Sequence, residues 1–498
     1  MELIKSTLKT MRIMLDSAKN YEETTDAIVP DTFPDIGRIA AVYGSAQVKD
    51  DSPQAGRLLV SGSVRMTVLY VPEDSTELKK LEIPVSFAHI EECRGITEQT
   101  LTFVTCRVVS ADARIVNSRK LAVTAVLSVS CRAFEAAEEQ ITSSVEDSEN
   151  RLEILTADRT VTLPVAVLRR EFTIMEDIEL PNSEQYTALT APRGDLRLSE
   201  CRLTNGKAVL RGEAVLRNLA ITHEGELRPV DTVVPFTQIF DASDFSEGQQ
   251  IGVCFCIRHL DCELDDTGTL TVGIGCYALL TAYETRSVTS IADVYHLDHP
   301  LRTEVRPLEL TSGHPLSDLS CEASETVPAG MKITSVADIT VSLDCLLSDP
   351  GRTALRLMCA IVYRSDDDQY YTIHRAVSMP LTLPDGIGSV HLTGLLTRAS
   401  ATISGEDSVV LSISGRCSML SEEPVHLSDL TELTVLDDPA DTDDRDAVSL
   451  ILRYVDAEER LWDIAKCYRT TVEAIRQANH IGTDCLSARG QMLLIPMR

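Results

Sequence analysis

The sequence predicts a mainly β protein: three tandem β-rich, sandwich-like domains, followed by a small α+β domain with the order strand, helix, helix, strand. The first observation is a stretch of alternating apolar residues that follows a glycine and occurs three times, beginning at Gly56, Gly206 and Gly351. The second is that a proline-centred strand and a further strand follow each copy in the same order. The third is a pair of short amphipathic helix patterns near the end of the chain, which include Trp462, the single tryptophan.

Composition places the chain among globular proteins. It has 498 residues, of which 44% are hydrophobic and 24% charged, and this length suits three or four domains. The excess of 76 acidic over 46 basic residues gives a net charge of −30, which excludes nonspecific binding to nucleic acid or to an anionic membrane surface. A partner with a basic surface fits this charge.

The first 23 residues predict a short N-terminal amphipathic helix, because apolar and charged residues are interspersed along them. They contain no continuous apolar core of the length that a secretory signal needs. No apolar run in the chain reaches the roughly 18 residues of a membrane-spanning helix. We therefore expect the protein to reside in the cytoplasm.

The three glycine-led stretches predict half-buried strands, because their apolar residues alternate with a period of two. Proline-centred segments follow at residues 83–87, 234–238 and 379–383, and later strands at 119–127, 268–276 and 408–414. The glycines are 150 and 145 residues apart, a spacing too long for a solenoid and suited to separate β domains. The predicted domains span residues 24–150, 159–300 and 301–423.

The first copy resembles the SPOCS repeat of spore-coat morphogenetic proteins from endospore-forming bacteria. The resemblance is carried by residues 27–39, by the Gly56 strand that ends at residues 68–71, and by residues 83–87. Proteins of this family often carry such repeats ahead of a C-terminal LysM module. The second and third copies lack the Pro-Asp-Ile-Gly-Arg stretch of the first.

Residues 424–448 are predicted to be an acidic linker. Residues 436–446 are rich in aspartate and contain almost no hydrophobic anchor, which favours a solvated, extended segment. A docking peptide for a basic partner is the alternative.

Residues 449–498 predict the small α+β domain. Leu461, Ile464, Ala465 and Tyr468 recur at the spacing of one buried helix face. Ile475 and Ala478 do the same in a second helix, for which Thr470 and Glu473 predict a capping box. Strand-like residues 450–455 and 490–496 flank the two helices.

This pattern resembles the LysM module, a βααβ domain whose usual role is to hold N-acetylglucosamine-containing glycans such as peptidoglycan or chitin. The resemblance implies a site in the two loops that flank the helices, which here contain Asp456, Ala457, Glu458, Glu459, Arg460, Leu461, Asn479, His480, Ile481 and Gly482. Where the family usually has Gly-Asp-Thr or Gly-Asp-Ser, this chain has Glu458, Glu459 and Arg460. Because carboxylates need partners if a neutral sugar is to desolvate them, the ligand is either a glycan or a protein.

The other candidate sites favour structural interpretations. His296 and His299 could hold a metal, but they lie before a proline in an apparent connection between repeats. Cys254, Cys256 and Cys262 could bind zinc, but no second Cys-x-x-Cys pair accompanies them.

Asp31 and Asp35 could act as paired carboxylates, but they flank a proline-rich turn and are better explained as turn residues. The chain has 14 cysteines, most of them in strand-like apolar surroundings, which favours buried thiols over disulfides or metal ligands. No nucleophile elbow, phosphate-binding glycine loop or zinc helix is present, and no cofactor or metal is expected.

Together these features predict a non-enzymatic scaffold or adaptor. The family resemblance implies that it acts in the mother cell at the forespore surface, linking the coat basement layer and its ATPase to other spore-coat proteins. The alternative is an envelope protein that uses the LysM module to bind peptidoglycan or its lipid-linked precursor. An enzyme with a site that the motifs do not reveal is a third possibility.

Overall fold

The computed structural model describes residues 2–75, 77–147, 149, 151–349, 352–384, 387, 389–436, 449–455, 458–482 and 487–497. Within them, eighteen strands form three consecutive units of six strands each. Unit 1 consists of β1 Glu2–Ile28, β2 Ile36–Gln54, β3 Arg57–Pro72, β4 Lys79–Glu92, β5 Leu101–Asn117 and β6 Lys120–Glu146. Unit 2 consists of β7 Leu152–Glu179, β8 Tyr186–Thr204, β9 Lys207–Thr222, β10 Leu227–Asp241, β11 Gln250–Leu264 and β12 Thr269–His296. Unit 3 consists of β13 Leu301–Pro328, β14 Ile333–Asp349, β15 Arg352–Ser365, β16 Tyr370–Leu381, β17 Val390–Ser404 and β18 Ser408–Val435. A short 3-10 turn, Ser183–Gln185, precedes β8.

Each unit folds in the same way. In units 1 and 2 the second, third and fourth strands form one antiparallel sheet, and the first, sixth and fifth strands form another. In unit 3 the two halves are joined into one six-stranded sheet, because the backbone of Cys321 on β13 pairs with that of Leu381 on β16. The apolar sides of the two halves face each other and bury one core per unit. The mainly β fold is therefore confirmed.

The predicted N-terminal helix is wrong, because residues 2–23 belong to strand β1. This strand pairs with β6 along its whole length, from Glu2 opposite Glu146 to Ile28 opposite Lys120. Its helical pattern is weak, and the hydrogen bonds to a partner strand more than 90 residues away decide its conformation. The linker prediction is also wrong for residues 424–435, which form the end of β18 and pair with β13. The acidic residues 437–448 lie outside the described residues.

The third copy of the repeat is fainter in sequence because one pair of facing residues on neighbouring strands differs in size from the pair in the other two copies. Gly62 lies opposite Phe87 in unit 1, and a Cβ at this glycine would overlap the ring and the carbonyl oxygen of Gln47. Gly212 and Phe236 repeat the arrangement in unit 2. In unit 3 the glycine position holds Leu357 and the phenylalanine position holds Val377. The leucine side chain therefore fills space that the aromatic ring fills in the other two units.

The three units pack around a common pseudo-threefold axis. Tyr43, Arg193 and Asp338 each lie 13 residues before the repeat glycine of their unit, so they are equivalent residues. They meet at the axis, where Arg193 binds both carboxylate oxygens of Asp338 at 3.1 and 2.9 Å and its guanidinium carbon lies 5.5 Å from the centre of the Tyr43 ring. Two shared apolar clusters contain residues from every unit. The units therefore form one body with a common interior.

The paired first and sixth strands of each unit form a two-stranded ribbon. The three ribbons pack against one another through a cluster that includes Leu8, Leu163 and Leu310, and their ends meet in a further cluster around Val145, Ile291 and Leu430. The C-terminal module packs against the ribbon end of unit 2, at Leu155, Tyr295 and Leu297. The elements of the module are β19 Leu450–Val455, β20 Glu459–Arg460, α1 Leu461–Tyr468, α2 Val472–Asn479, β21 Ser487–Ala488 and β22 Gln491–Pro496. The predicted order of strand, helix, helix and strand is present. Neither of these helices, the two that the described residues form, is long and apolar enough to cross a membrane.

Candidate functional site

The C-terminal module is built on two short helices that pack against one face of the β19–β22 pair. Ile464 and Ile475 are completely buried between the helices and this sheet. The capping residue of α2 is Thr471, whose hydroxyl accepts a hydrogen bond from the backbone nitrogen of Ala474 at 3.0 Å. The predicted capping box at Thr470 is therefore wrong by one residue, because Thr470 is buried at the end of the preceding turn.

The charged residues of the first predicted loop are engaged within the module. Arg453 donates to both carboxylate oxygens of Glu459 at 3.1 and 2.9 Å. Arg460 donates in the same bidentate way to Asp463 at 2.8 and 2.9 Å. Glu459 and Arg460 also form β20, which pairs with β21, a strand that follows the second predicted loop in the sequence. Asp456 and Ala457 lie outside the described residues, whereas Glu458 is exposed beside β20.

Two of the predicted site residues have roles within the fold of the module. The side chain of Leu461 is buried in its core. The amide of Asn479 donates to the carbonyl oxygens of Ile475 and Leu494, at 2.7 and 2.6 Å, and accepts from the backbone nitrogen of Leu494 at 2.7 Å. These bonds tie the end of α2 to β22 and occupy the amide.

The other residues of the second loop lie at the surface. His480 ends α2 in the left-handed backbone conformation, with φ of 53°, and its side chain is exposed. Ile481 packs partly against the core of the module. A Cβ at Gly482 would meet no atom within 4 Å, so open space adjoins this position.

The module contacts unit 2 through residues that the sequence did not assign to any site. The indole nitrogen of Trp462 donates to Asp293 at 2.8 Å, and the Lys466 ammonium binds both oxygens of the same carboxylate at 2.7 and 2.8 Å. The ring of Tyr295 packs edge-on against Trp462 at 4.9 Å, and its hydroxyl donates to the carbonyl oxygen of Thr470 at 2.7 Å. Burial alone would raise the pKa of Asp293, but the hydrogen bonds from Lys466 and Trp462 outweigh it and hold the pKa below its usual value. The tryptophan therefore fixes the module to the ribbon end.

The outer face of the β19–β22 pair is apolar and exposed. Register pairs Leu450 with Pro496, Leu452 with Leu494, and Tyr454 with Met492, and all six side chains share the face that points away from the helices. The exposed fractions of Leu450, Leu452, Tyr454 and Met492 are 48%, 60%, 61% and 59%. We call these six residues the apolar face. The sequence carries part of the signal, since β19 and β22 are apolar at nearly every position and the helices can cover only one side of the pair. It does not show which side the helices cover.

Members of the histidine and cysteine candidate groups form hydrogen bonds within the described residues. The Nδ1 atom of His296 accepts hydrogen bonds from the backbone nitrogens of Asp298 and His299, both at 3.0 Å, which closes the turn between units 2 and 3. Cys254 is buried and donates to the carbonyl oxygen of Thr393 at 3.3 Å. The described part of the chain contains no cluster of three or more side chains that could hold a metal ion.

The aspartate pair of the first unit is held by one arginine. Arg119 pairs with Asp31 at 3.2 Å and with Asp35 at 3.0 Å, and it also donates to two backbone carbonyl oxygens of the same proline-rich turn. These contacts account for both carboxylates as parts of the turn.

Residues 35–116 match the family model described as SipL, SPOCS domain. The matched stretch runs from the start of β2 to the end of β5, so it lies entirely in unit 1, and it confirms the SPOCS resemblance of that unit. It also indicates a sporulation-related protein. No curated protein and no solved structure matches the chain.

Proposed function

We propose that this chain is a non-enzymatic scaffold or adaptor of endospore coat assembly. It acts in the mother cell at the forespore surface and links the coat basement layer, including its ATPase, to other coat proteins. The family match of unit 1 supports the sporulation context. The repeated topology of units 2 and 3 supports two further SPOCS-type domains, and the βααβ order of residues 449–498 supports a LysM-type module.

The observation that carries the proposal is the apolar face of the module. Its side chains are more than half exposed at Leu452, Tyr454 and Met492, and they lie next to one another across two paired strands. Contiguous exposed apolar residues favour protein association, whereas isolated ones are common on any surface. Full burial of an exposed Leu or Met contributes about 1.5–3 kcal/mol per side chain, and covering the exposed part of each residue here would contribute a little over half of that. A protein that covers this face would gain enough binding energy to anchor a scaffold.

The predicted glycan loops fit this proposal better than they fit sugar binding. Glu459 and Arg460 already have partners inside the module, at Arg453 and Asp463. A sugar would have to compete with these bidentate bonds for the same polar groups, and charge-assisted pairs are the stronger ones. Peptidoglycan binding remains the alternative that the experiment distinguishes.

The test compares variants of the full chain as fluorescent fusions during sporulation. Leu452→Lys places a charge in the centre of the apolar face, and because the side chain is already exposed, the fold should tolerate it. We expect the wild-type fusion to form a ring around the forespore and Leu452→Lys to disperse in the mother cell. Binding of the two purified proteins to the coat-basement ATPase should differ by 10-fold or more, the effect of losing a central interface residue.

Met175→Lys is the matched control, since Met175 is an exposed apolar residue, 73% exposed, on β7 and far from the module in sequence. It should keep both the ring and the binding. Expression outside sporulation, or a ring that Leu452→Lys leaves intact, would refute the proposal. Retention of both variants on purified peptidoglycan would support the envelope alternative instead.

A further inference from the structure

A cavity of about 280 Å³ lies where the three units meet. Its wall includes the second and fifth strands of every unit: β2, β5, β8, β11, β14 and β17. A water molecule needs only about 10–15 Å³ of such space, so the cavity has room for a small organic molecule. His374 on β16 lines the cavity and is also exposed to solvent, so the cavity opens to the surface beside it.

One side of the cavity carries charged residues in a fixed arrangement. Arg193 and Arg217 lie opposite each other on β8 and β9, and Asp195 follows two residues after Arg193, so all three share the sheet face that lines the cavity. Arg193 is held by its bidentate bonds to Asp338. The Arg217 guanidinium donates to the carbonyl oxygen of Thr397, a neutral acceptor from unit 3. Its positive charge therefore has no carboxylate partner there.

Two further charged groups on the wall, Asp195 and Arg107, make no direct hydrogen bond or ion pair among the described residues. Asp195 is enclosed by protein on all sides, yet part of its side chain remains accessible, which places that part on the cavity. Burial raises the pKa of its carboxyl group, although Arg217, Arg107 and Arg193 oppose the effect. Asp195 forms no hydrogen bond or ion pair with another residue that the structure describes, and the same holds for Arg107 on β5. A charge held in an enclosed wall without a direct hydrogen-bonding partner is costly, so this arrangement is typical of a binding site.

The charges and the backbone of the wall define what fits. Outside the Arg193–Asp338 pair, the wall carries Arg107 and Arg217 but only one carboxylate, Asp195, which leaves an excess of one positive charge. Each fifth strand also shifts its register at the wall, between Val108 and Ser110, Ile257 and His259, and Leu392 and Gly394. Such bulges leave backbone groups without ladder partners, and these groups can bind hydroxyls.

We propose that the cavity binds a small hydroxylated organic acid with a single carboxylate. The carboxylate binds Arg107 and Arg217, one hydroxyl donates to Asp195, and others bind the bulged backbone. Guanidinium groups suit carboxylates because both are planar and pair through two hydrogen bonds. This site is independent of the partner that the module binds.

The test is calorimetric titration of the full chain with D-gluconate and with hexanoate at constant ionic strength. Both have one carboxylate and six carbons. In gluconate each of the remaining carbons also carries a hydroxyl group, and one of these hydroxyls can reach Asp195. We expect gluconate to bind at least 10-fold more tightly than hexanoate. Absence of heat from gluconate at millimolar concentration would overturn the proposal.

Substitutions of the charged wall residues test whether the acid binds in this cavity. Arg107→Met should weaken gluconate binding by about 10- to 100-fold, as expected when a charge-assisted hydrogen bond is lost. Asp195→Asn should lower the preference for gluconate over hexanoate while hexanoate binding is kept or strengthened, because the change removes a negative charge from the wall. Misfolding would instead weaken the binding of both acids. Arg302→Met is the matched control, because the Arg302 side chain is 70% exposed on β13, and it should bind gluconate as the wild type does. Equal effects of Arg107→Met and Arg302→Met would contradict the assignment.

Discussion

Replacement of Asp293 by alanine should loosen the C-terminal module from unit 2. The substitution removes the acceptor of the Trp462 indole N–H and the partner of Lys466 at once. A buried N–H without an acceptor costs about 1–2 kcal/mol. The ion pair adds about 0.5 kcal/mol, since its side chains are 44% and 30% exposed and solvent weakens the attraction. The sum of about 2 kcal/mol corresponds to a roughly 30-fold increase in the undocked fraction.

Trp462 is a direct probe of this contact, because it is the single tryptophan of the chain and only 8% exposed when the module is docked. In Asp293→Ala we expect acrylamide to quench its fluorescence more strongly and the emission maximum to move to longer wavelength. Lys466→Gln should have the smaller effect of losing the ion pair alone. Arg460→Gln is the control, since its bonded partner Asp463 lies within the module and Asp293 acts on it only as the weaker, more distant charge. It should change quenching less than Lys466→Gln does. Wild-type quenching in Asp293→Ala would refute the docking.

Three further outcomes are expected. Fluorescence quenching of the wild type should stay constant down to about pH 4 and rise below it. The pKa of Asp293 is lower when the module is docked than its ordinary 3.8. The contribution of Asp293 to docking is therefore complete above that value and is lost as the pH falls through the lowered pKa. Gly62→Ala should lower the free energy of unfolding by about 1–3 kcal/mol in urea titrations, since its Cβ would overlap Phe87, and a titration curve equal to that of the wild type would argue against this packing. Arg132→Met should cost about 3–5 kcal/mol in the same assay. Arg132 is buried and lies 2.5 Å from Glu422 across the boundary of units 1 and 3, so its loss leaves a largely enclosed carboxylate without its cation. A cost below about 1 kcal/mol would show that water reaches this pair.

Much of the candidate site was predictable, but its working surface was not. The helical spacing of Leu461, Ile464 and Ala465 and the flanking strands predicted the module, and the structure has these elements at those positions. The same residues suggested a loop site. The pairing of Glu459 and Arg460 inside the module and the exposure of Leu452 became visible only in the fold, because they depend on which side of β19 the helices cover.

The sequence by itself determined the features that rest on local periodicity: the alternating strands after Gly56 and Gly206, and the helix pair around Trp462. Only the tertiary structure decided the features that rest on distant contacts. Residues 2–23 are a strand because β6 pairs with them, and their own pattern is compatible with either conformation. Tyr43, Arg193 and Asp338 look unrelated in sequence, yet the pseudo-threefold packing places them in one cluster. A residue's periodic pattern shows that it has a buried face, whereas the residue that this face meets depends on how units separated by about 150 residues pack together.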